Sequence, residues 1–136
     1  MQFDTKIAVV LLDDLAVWQK ANVTAFLVSG IAGTDPSLVG EPYVDGSSNS
    51  YLPMFRQPVM VFAADAGGLR RAYERAMQRA AELAIYTREL FVTGHDEANR
   101  AVVAAVPSEE LDLVGIALGA DRKLVDRIVD KLPPHP

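Results

Sequence analysis

Two clusters of polar side chains have the residue types from which a hydrolytic or ligand-binding site is built. The first, residues 13–22, holds two carboxylates, a tryptophan, Lys20 and an asparagine. The second, residues 93–100, places His95 beside Asp96 among other hydrogen-bonding side chains. A histidine next to an aspartate can work as a general base or as an oriented hydrogen-bond donor. A lysine near a helix start suits an anion, because free backbone amides and the helix dipole attract negative charge there.

These clusters predict a site for a small ligand or for hydrolysis. The predicted catalytic residues are His95 and Asp96. The predicted ligand-binding residues are Asp14, Lys20, Asn22, Asn99 and Arg100. In an ester hydrolase, His95 or Asp96 would position water, while Lys20 and the helix N-terminus would stabilise an oxyanion.

Each cluster also has a structural interpretation, which the sequence leaves open. Asn22 is a favoured residue for a helix N-cap, and Trp18 would then pack on the core. Thr93 or Asp96 would likewise cap a helix that follows it. Under this interpretation the side chains begin helices and bind nothing.

Alternating strands and helices must position both clusters. Apolar runs at residues 7–12, 58–64 and 111–118 predict buried strands, and the mixed run 85–91 predicts an edge strand. Apolar spacings of three and four predict helices at residues 21–30, 69–83 and 124–132, and an acidic first turn predicts another after Asp96. The alternation is typical of an α/β fold, in which ligands bind beyond the carboxyl ends of parallel strands.

Length and charge narrow the class of protein. The 136 residues are 50% hydrophobic, enough for a core, so we expect one domain over residues 1–136 and no intrinsic disorder. With 13 basic and 18 acidic residues the net charge is −5, which disfavours a nucleic-acid-binding module. The apolar run at 7–12 is too short for a signal or membrane segment, so the prediction is a cytoplasmic protein without membrane contact.

Residue types also limit the chemistry. The chain has no cysteine, which excludes disulfides, thiolate nucleophiles and cysteine-based metal sites. Its two histidines, His95 and His135, lack the spacing that zinc enzymes use. We therefore expect no metal and no cofactor.

Residues 33–57 interrupt the alternation of strands and helices. They contain three of the eight prolines and show no periodicity, which is typical of a functional or mobile loop. A third possibility for function is therefore an interaction module that uses this loop and an exposed sheet edge.

The order of motifs resembles an uncharacterised bacterial family, number two thousand in the domain-of-unknown-function series. The resemblance rests on residues 6–15, 18–26, 57–62, 93–100 and 113–118. That family in turn resembles, distantly, type II peptidyl-tRNA hydrolase. The resemblance implies three layers, with a mixed four-stranded sheet flanked by helices, and it implies a homodimer.

Type II hydrolases cleave the ester that joins a peptide to tRNA, and the resemblance carries over only part of their site. The Asp-Leu pair after their first strand corresponds to Asp14 and Leu15, but their key lysine falls on Asn22 and a glutamine falls on Phe26. A later aspartate loop corresponds to Asp96 and a threonine region to Asn99.

These departures make the resemblance a better guide to fold than to activity. Residues 69–88 carry five arginines against two glutamates, yet the overall acidic balance still disfavours tRNA as the partner. The alternative function is a non-catalytic ligand-binding or regulatory domain on the same scaffold.

Overall fold

A computed structural model describes residues 3–136. Its strands are β1 Thr5–Leu12, β2 Tyr43–Val44, β3 Ser50–Tyr51, β4 Val59–Ala64, β5 Ala84–Thr87 and β6 Leu113–Asp121. Its α-helices are α1 Val17–Thr34, α2 Ala66–Gln78, α3 Asp96–Ala104 and α4 Arg122–Ile128. The predicted strands and helices are all present, with shifted bounds.

The main sheet is mixed and has the order β4-β1-β6-β5. Strand β4 runs parallel to β1, whereas β6 is antiparallel to both of its neighbours, β1 and β5. The predicted α/β fold with a mixed four-stranded sheet is therefore confirmed. The predicted strand at 85–91 ends early, because the register shifts between Tyr86 and Thr87 and a 3-10 turn follows at Arg88–Phe91.

Helices cover both faces of the sheet. A side chain added at Gly115 of β6 would meet Val23 and Leu27 of α1, the first of them at 2.7 Å, so α1 lies directly against this face. The alternate residues of β6 are also fully buried, and they point to the opposite face. Helices α2 and α4 contact β6 and β1, and they cover that second face.

Residues 38–56, predicted as an irregular loop, form a two-stranded ribbon that we call the arm. Strands β2 and β3 pair Tyr43 with Tyr51, and the same register continues to a bridge between Val39 and Phe55. Pro42 interrupts the ladder because it has no N–H to donate. Residues 41–52 are all exposed, although the two strands pair with each other. The arm therefore projects from the body.

The residues after α4 lie along the outer edge of β4. The N–H of Ala63 donates to the carbonyl of Pro133 over 3.1 Å, and that of His135 donates to the carbonyl of Val61 over 2.9 Å. Arg75 of α2 donates to the carbonyl of Asp130 over 3.3 Å and fixes the start of this segment. The edge of β4 is therefore protected from pairing with another chain.

Candidate functional site

Both predicted clusters follow carboxyl ends of strands that point to one edge of the sheet. Strands β1, β4 and β5 run in the same direction, and they lead into residues 13–16, the start of α2 and the turn Arg88–Phe91. Helix α1 leaves β1 toward one face, and α2 leaves β4 toward the other. This is the edge at which open α/β sheets bind ligands.

Helix α1 begins five residues before Asn22, at Val17, so the interpretation of Asn22 as an N-cap is wrong. The N-cap is Ala16, whose N–H donates to the side chain of Gln19 over 2.9 Å. Within residues 3–136, no side chain accepts from the N–H of Val17, Trp18 or Gln19. The first turn of α1 therefore presents unpaired backbone amides, where an anion is favoured.

The other two long helices each have a side-chain cap at the N-terminus. The carboxylate of Asp65 accepts from the N–H of Gly68 over 2.7 Å and caps α2. The ring of His95 caps α3 in the same way. Of the two helices that follow parallel strands directly, α1 is the one whose N-cap side chain accepts no hydrogen bond from the first turn.

Four rings lie beside the start of α1, and we call them the aromatic cluster. Trp18 packs edge-on against Phe91 with 5.9 Å between ring centroids, Phe91 lies 5.1 Å from Tyr86, and Tyr86 lies 5.7 Å from Phe26. Trp18 remains 62% exposed, so the interpretation that it packs on the core is wrong. It forms an apolar wall next to the free amides of α1.

The side chain of Asn22 is engaged within the protein. Its amide donates to the hydroxyl of Tyr86 over 3.2 Å. Burial raises the pKa of Tyr86, and the hydrogen bond from Asn22 opposes that rise. Asn22 therefore ties α1 to β5.

Asp14 and Lys20 are the predicted ligand-binding residues whose side chains are available. Asp14 is exposed in the turn after β1, and Lys20 is half-buried in the second turn of α1. Within the described part of the chain, neither side chain takes part in a salt bridge or a side-chain hydrogen bond. Lys20 can therefore meet a ligand without breaking an internal contact.

In the second cluster, His95 has a structural role. Its Nδ1 accepts from the N–H of Ala98 over 3.2 Å, and His95 is the N-cap in place of the predicted Thr93 or Asp96. A neutral imidazole has one acceptor nitrogen, so Nε2 carries the proton here. His95 can donate a hydrogen bond in this state, but it cannot accept a proton at Nε2.

The remaining members of the second cluster pair with one another. Asp96 and Arg100 form an ion pair one helical turn apart, with side chains 83% and 68% exposed. Asn99 bonds the hydroxyl of Thr93. Exposed pairs of this kind contribute little to stability.

No hydrogen bond or salt bridge between described residues joins the first cluster to the second. The aromatic cluster connects them indirectly, because Phe91 contacts Trp18 and Thr93 donates to the carbonyl of Leu90 over 3.1 Å. Three surface cavities, of about 630, 600 and 240 Å³, lie elsewhere, and none of these three is lined by a predicted site residue.

Sequence reasoning missed Phe91 and Tyr86 as neighbours of the first cluster. The signal for them was weak, because contact with Trp18 and Asn22 depends on how α1 lies across β5. Helical spacing does place Trp18, Asn22 and Phe26 on one side of α1. Residues 3–136 contain no group of three or more His, Asp or Glu that could hold a metal ion.

The fold and this edge define a mixed α/β domain with an open first strand–helix turn. The chain belongs to the family described as Protein of unknown function (DUF2000), whose model matches residues 5–136. The predicted membership of that family is therefore confirmed.

A solved structure of a protein of unknown function from Agrobacterium tumefaciens strain C58 is similar to this chain. It shares 49% sequence identity, with a TM-score of 0.96 over 99% of this chain and 100% of that one. A search among curated proteins finds no match. Among the described residues, no helix is long and apolar enough to cross a membrane.

Proposed function

We propose that this protein is a small-ligand-binding domain whose site lies at the first turn of α1. The ligand class that fits best is a planar molecule with one carboxylate. The observation that carries the proposal is the exposed ring of Trp18, held against Phe91 beside backbone amides with no acceptor among the described residues.

Different groups in this turn would bind different parts of the ligand. The free amides of Val17, Trp18 and Gln19 and the positive end of the helix suit a carboxylate, and Lys20 adds a full positive charge. The ring of Trp18 supplies an apolar face on which a planar group can stack. The exposed carboxylates of Asp13 and Asp14 disfavour a polyanion, so a single negative charge fits better than a phosphate chain.

The test uses Trp18 as its own reporter, because it is the sole tryptophan of the chain. We expect benzoate to change the tryptophan emission and to raise the melting temperature. Acetate, which lacks the ring, and benzyl alcohol, which lacks the charge, are the matched probes. Each should change the emission and the melting temperature less than benzoate does.

Two variants assign the effect to this turn. Trp18→Ala should abolish the rise in melting temperature with benzoate, and Lys20→Gln should weaken it. Lys123→Gln, an exposed position on α4, is the control and should change nothing. A benzoate response that survives Trp18→Ala, or one that benzyl alcohol equals, would place binding elsewhere and refute the proposal.

We also propose a type II peptidyl-tRNA hydrolase-like scaffold without its hydrolytic activity. The mixed four-stranded sheet flanked by helices agrees with that resemblance. The position of the family's lysine is Asn22, whose amide bonds Tyr86, and His95 has its acceptor nitrogen occupied. Purified protein should turn over peptidyl-tRNA and simple acyl esters no faster than its Asp96→Ala variant. Faster turnover would make it a hydrolase.

Contacts of the arginines support the expectation that tRNA is not the partner. Arg70 donates to the carbonyls of Ser108 and Glu109, and Arg75 donates to the carbonyl of Asp130. Arg88 pairs with Asp112 over 3.1 Å. The locally basic stretch is thus largely used within the protein, so binding to tRNA should be weak even at low salt, where phosphate contacts are strongest.

A further inference from the structure

We propose that the arm is a dimerisation element that docks on α1 of a second copy of this chain. In this arrangement each protomer places its arm on the receiving face of the other. We define the receiving face as the exposed residues of α1 beyond its first turn. They are Ala21, Ala25, Phe26, Ser29, Gly30, Gly33 and Thr34.

The arm has one exposed apolar face. Directly opposite residues of an antiparallel pair lie on the same face, and successive pairs alternate. The pairing of Val44 with Ser50 and the hydrogen bond from Gly40 to Met54 therefore place Val44, Leu52 and Met54 on one face. These side chains are 66%, 83% and 58% exposed. Exposed apolar surface of this kind marks an interaction site.

Charge indicates that the arm and the receiving face belong together. The chain has 31 charged residues, 13 basic and 18 acidic, yet residues 21–34 contain none. Residues 42–55 contain only Asp45, whose carboxylate accepts from Ser47, Asn49 and Tyr51 within the arm. The two exposed stretches carry one charged residue between them, and they match each other because charged residues are depleted at the core of protein interfaces.

Shape supports the same pairing. The arm carries protruding side chains, whereas the receiving face has Ala21, Ala25, Ser29 and Gly33 at intervals of four, with Phe26 beside them. Small residues at that spacing lie along one side of the helix and let another chain approach its backbone. A helix that is apolar all round is normally buried, and α1 has only Lys20 as a charged residue.

The available area agrees with a reciprocal contact. A half-exposed ring or an exposed aliphatic side chain presents on the order of 100 Å². The three exposed large side chains on the apolar face of the arm thus present on the order of 300 Å². A standard interface buries about 800 Å² on each partner, so the arm alone is too small. The receiving face supplies the difference when both protomers exchange arms.

This proposal is independent of the ligand site. The amides and the ring that would hold a ligand lie in the first turn of α1, and the receiving face begins at Ala21. Failure of benzoate to bind would leave the dimer unaffected, and a monomeric protein could still bind benzoate.

The first experiment measures the mass of the full chain in solution by sedimentation equilibrium. We expect twice the chain mass of 14.7 kDa. The double variant Leu52→Ser with Met54→Ser, and separately Ala25→Lys, should halve the measured mass. Val92→Ser, at a position that is 87% exposed but off both surfaces, is the control and should stay dimeric. Thermal unfolding of each variant verifies that it is folded.

The second experiment tests which surfaces meet. Because the chain has no cysteine, Leu52→Cys and Ala25→Cys each introduce a single thiol. A mixture of the two variants should form a mixed disulfide under oxidation, whereas Leu52→Cys alone should not cross-link. Cross-linking of Leu52→Cys with itself would show arms packed on each other and overturn the exchange. A monomer at every concentration, or a dimer that survives both the arm and the α1 variants, would overturn the proposal altogether.

Discussion

The side-chain amide of Asn22 donates a hydrogen bond to the hydroxyl of Tyr86, and it joins the second turn of α1 to the edge strand β5. Tyr86 is only 3% exposed, so its hydroxyl depends on this partner. The aromatic cluster is built on the same contact, because Tyr86 touches both Phe26 and Phe91. Asn22 therefore sets the position of the wall beside the first turn of α1.

A double-mutant cycle with Asn22→Ala and Tyr86→Phe measures this contact. We expect a coupling of about 0.5–1.5 kcal/mol in the free energy of unfolding, the range of a partly buried hydrogen bond. Urea denaturation of the four proteins gives the value. Additive effects of the two substitutions would show that the hydrogen bond contributes nothing.

Gly115→Ala should destabilise the protein by about 1–3 kcal/mol, because the added methyl overpacks the contact between β6 and α1. The methyl would lie 2.7 Å from Val23 and 3.2 Å from Leu27. Gly94→Ala is the matched control, since nothing lies within 4 Å of the new methyl and Gly94 does not have a positive φ. Chemical denaturation should separate the two variants. Equal stabilities would mean that α1 can move away from the sheet at no cost.

The strands were predictable from sequence because their apolar runs are continuous, and a short continuous apolar run indicates a buried strand. Residues 7–12 read as a buried strand, and β1 lies in the middle of the sheet with neighbours on both sides. The start of α1 was not predictable from its cap. Ala16 is a poor N-cap residue, and the helix is fixed there by Gln19 and by burial of Val23 and Leu27 against β6.

The arm and the site show where local patterns stop being informative. A turn signal is present at residues 45–49, but a two-stranded ribbon with an exposed apolar face lacks the inside–outside alternation that identifies strands. The contact of Trp18 with Phe91 and the hydrogen bond of Asn22 with Tyr86 each join residues more than 60 positions apart. Such pairs follow from packing and have no local signature.

Ala80→Gly should stabilise the protein by about 1 kcal/mol, because Ala80 has a left-handed backbone with φ of 53°. It follows the end of α2, where the N–H of Ala81 donates to the carbonyl of Ala76 over 3.0 Å in a Schellman turn. Ala101→Gly, at an exposed position in the interior of α3, is the control and should cost about 1 kcal/mol. The melting temperatures should therefore move in opposite directions.

The turn of the arm should lose its order in strong acid. The hydroxyl of Tyr51 and amides of the turn donate to Asp45 and lower its pKa to about 2. Because the folded pKa lies below the ordinary aspartate value of 3.8, these contacts are complete above pH 4 and are lost as the pH falls through about 2. Amide chemical shifts of Ser47 and Asn49 should report this titration. Tyr51→Phe should move the midpoint up, and an unchanged midpoint would contradict the assigned cause.

His95→Asn and His95→Ala distinguish a cap from a catalytic residue. Asparagine is a favoured N-cap, so His95→Asn should keep the stability of the protein, whereas His95→Ala should cost about 1 kcal/mol. Since Nδ1 accepts from Ala98, the ring cannot serve as a base at Nε2 without giving up the cap. If acyl-ester turnover is found and His95→Asn preserves it, the ring is structural only. Loss of turnover with stability retained would instead show that the ring of His95 takes part in the reaction.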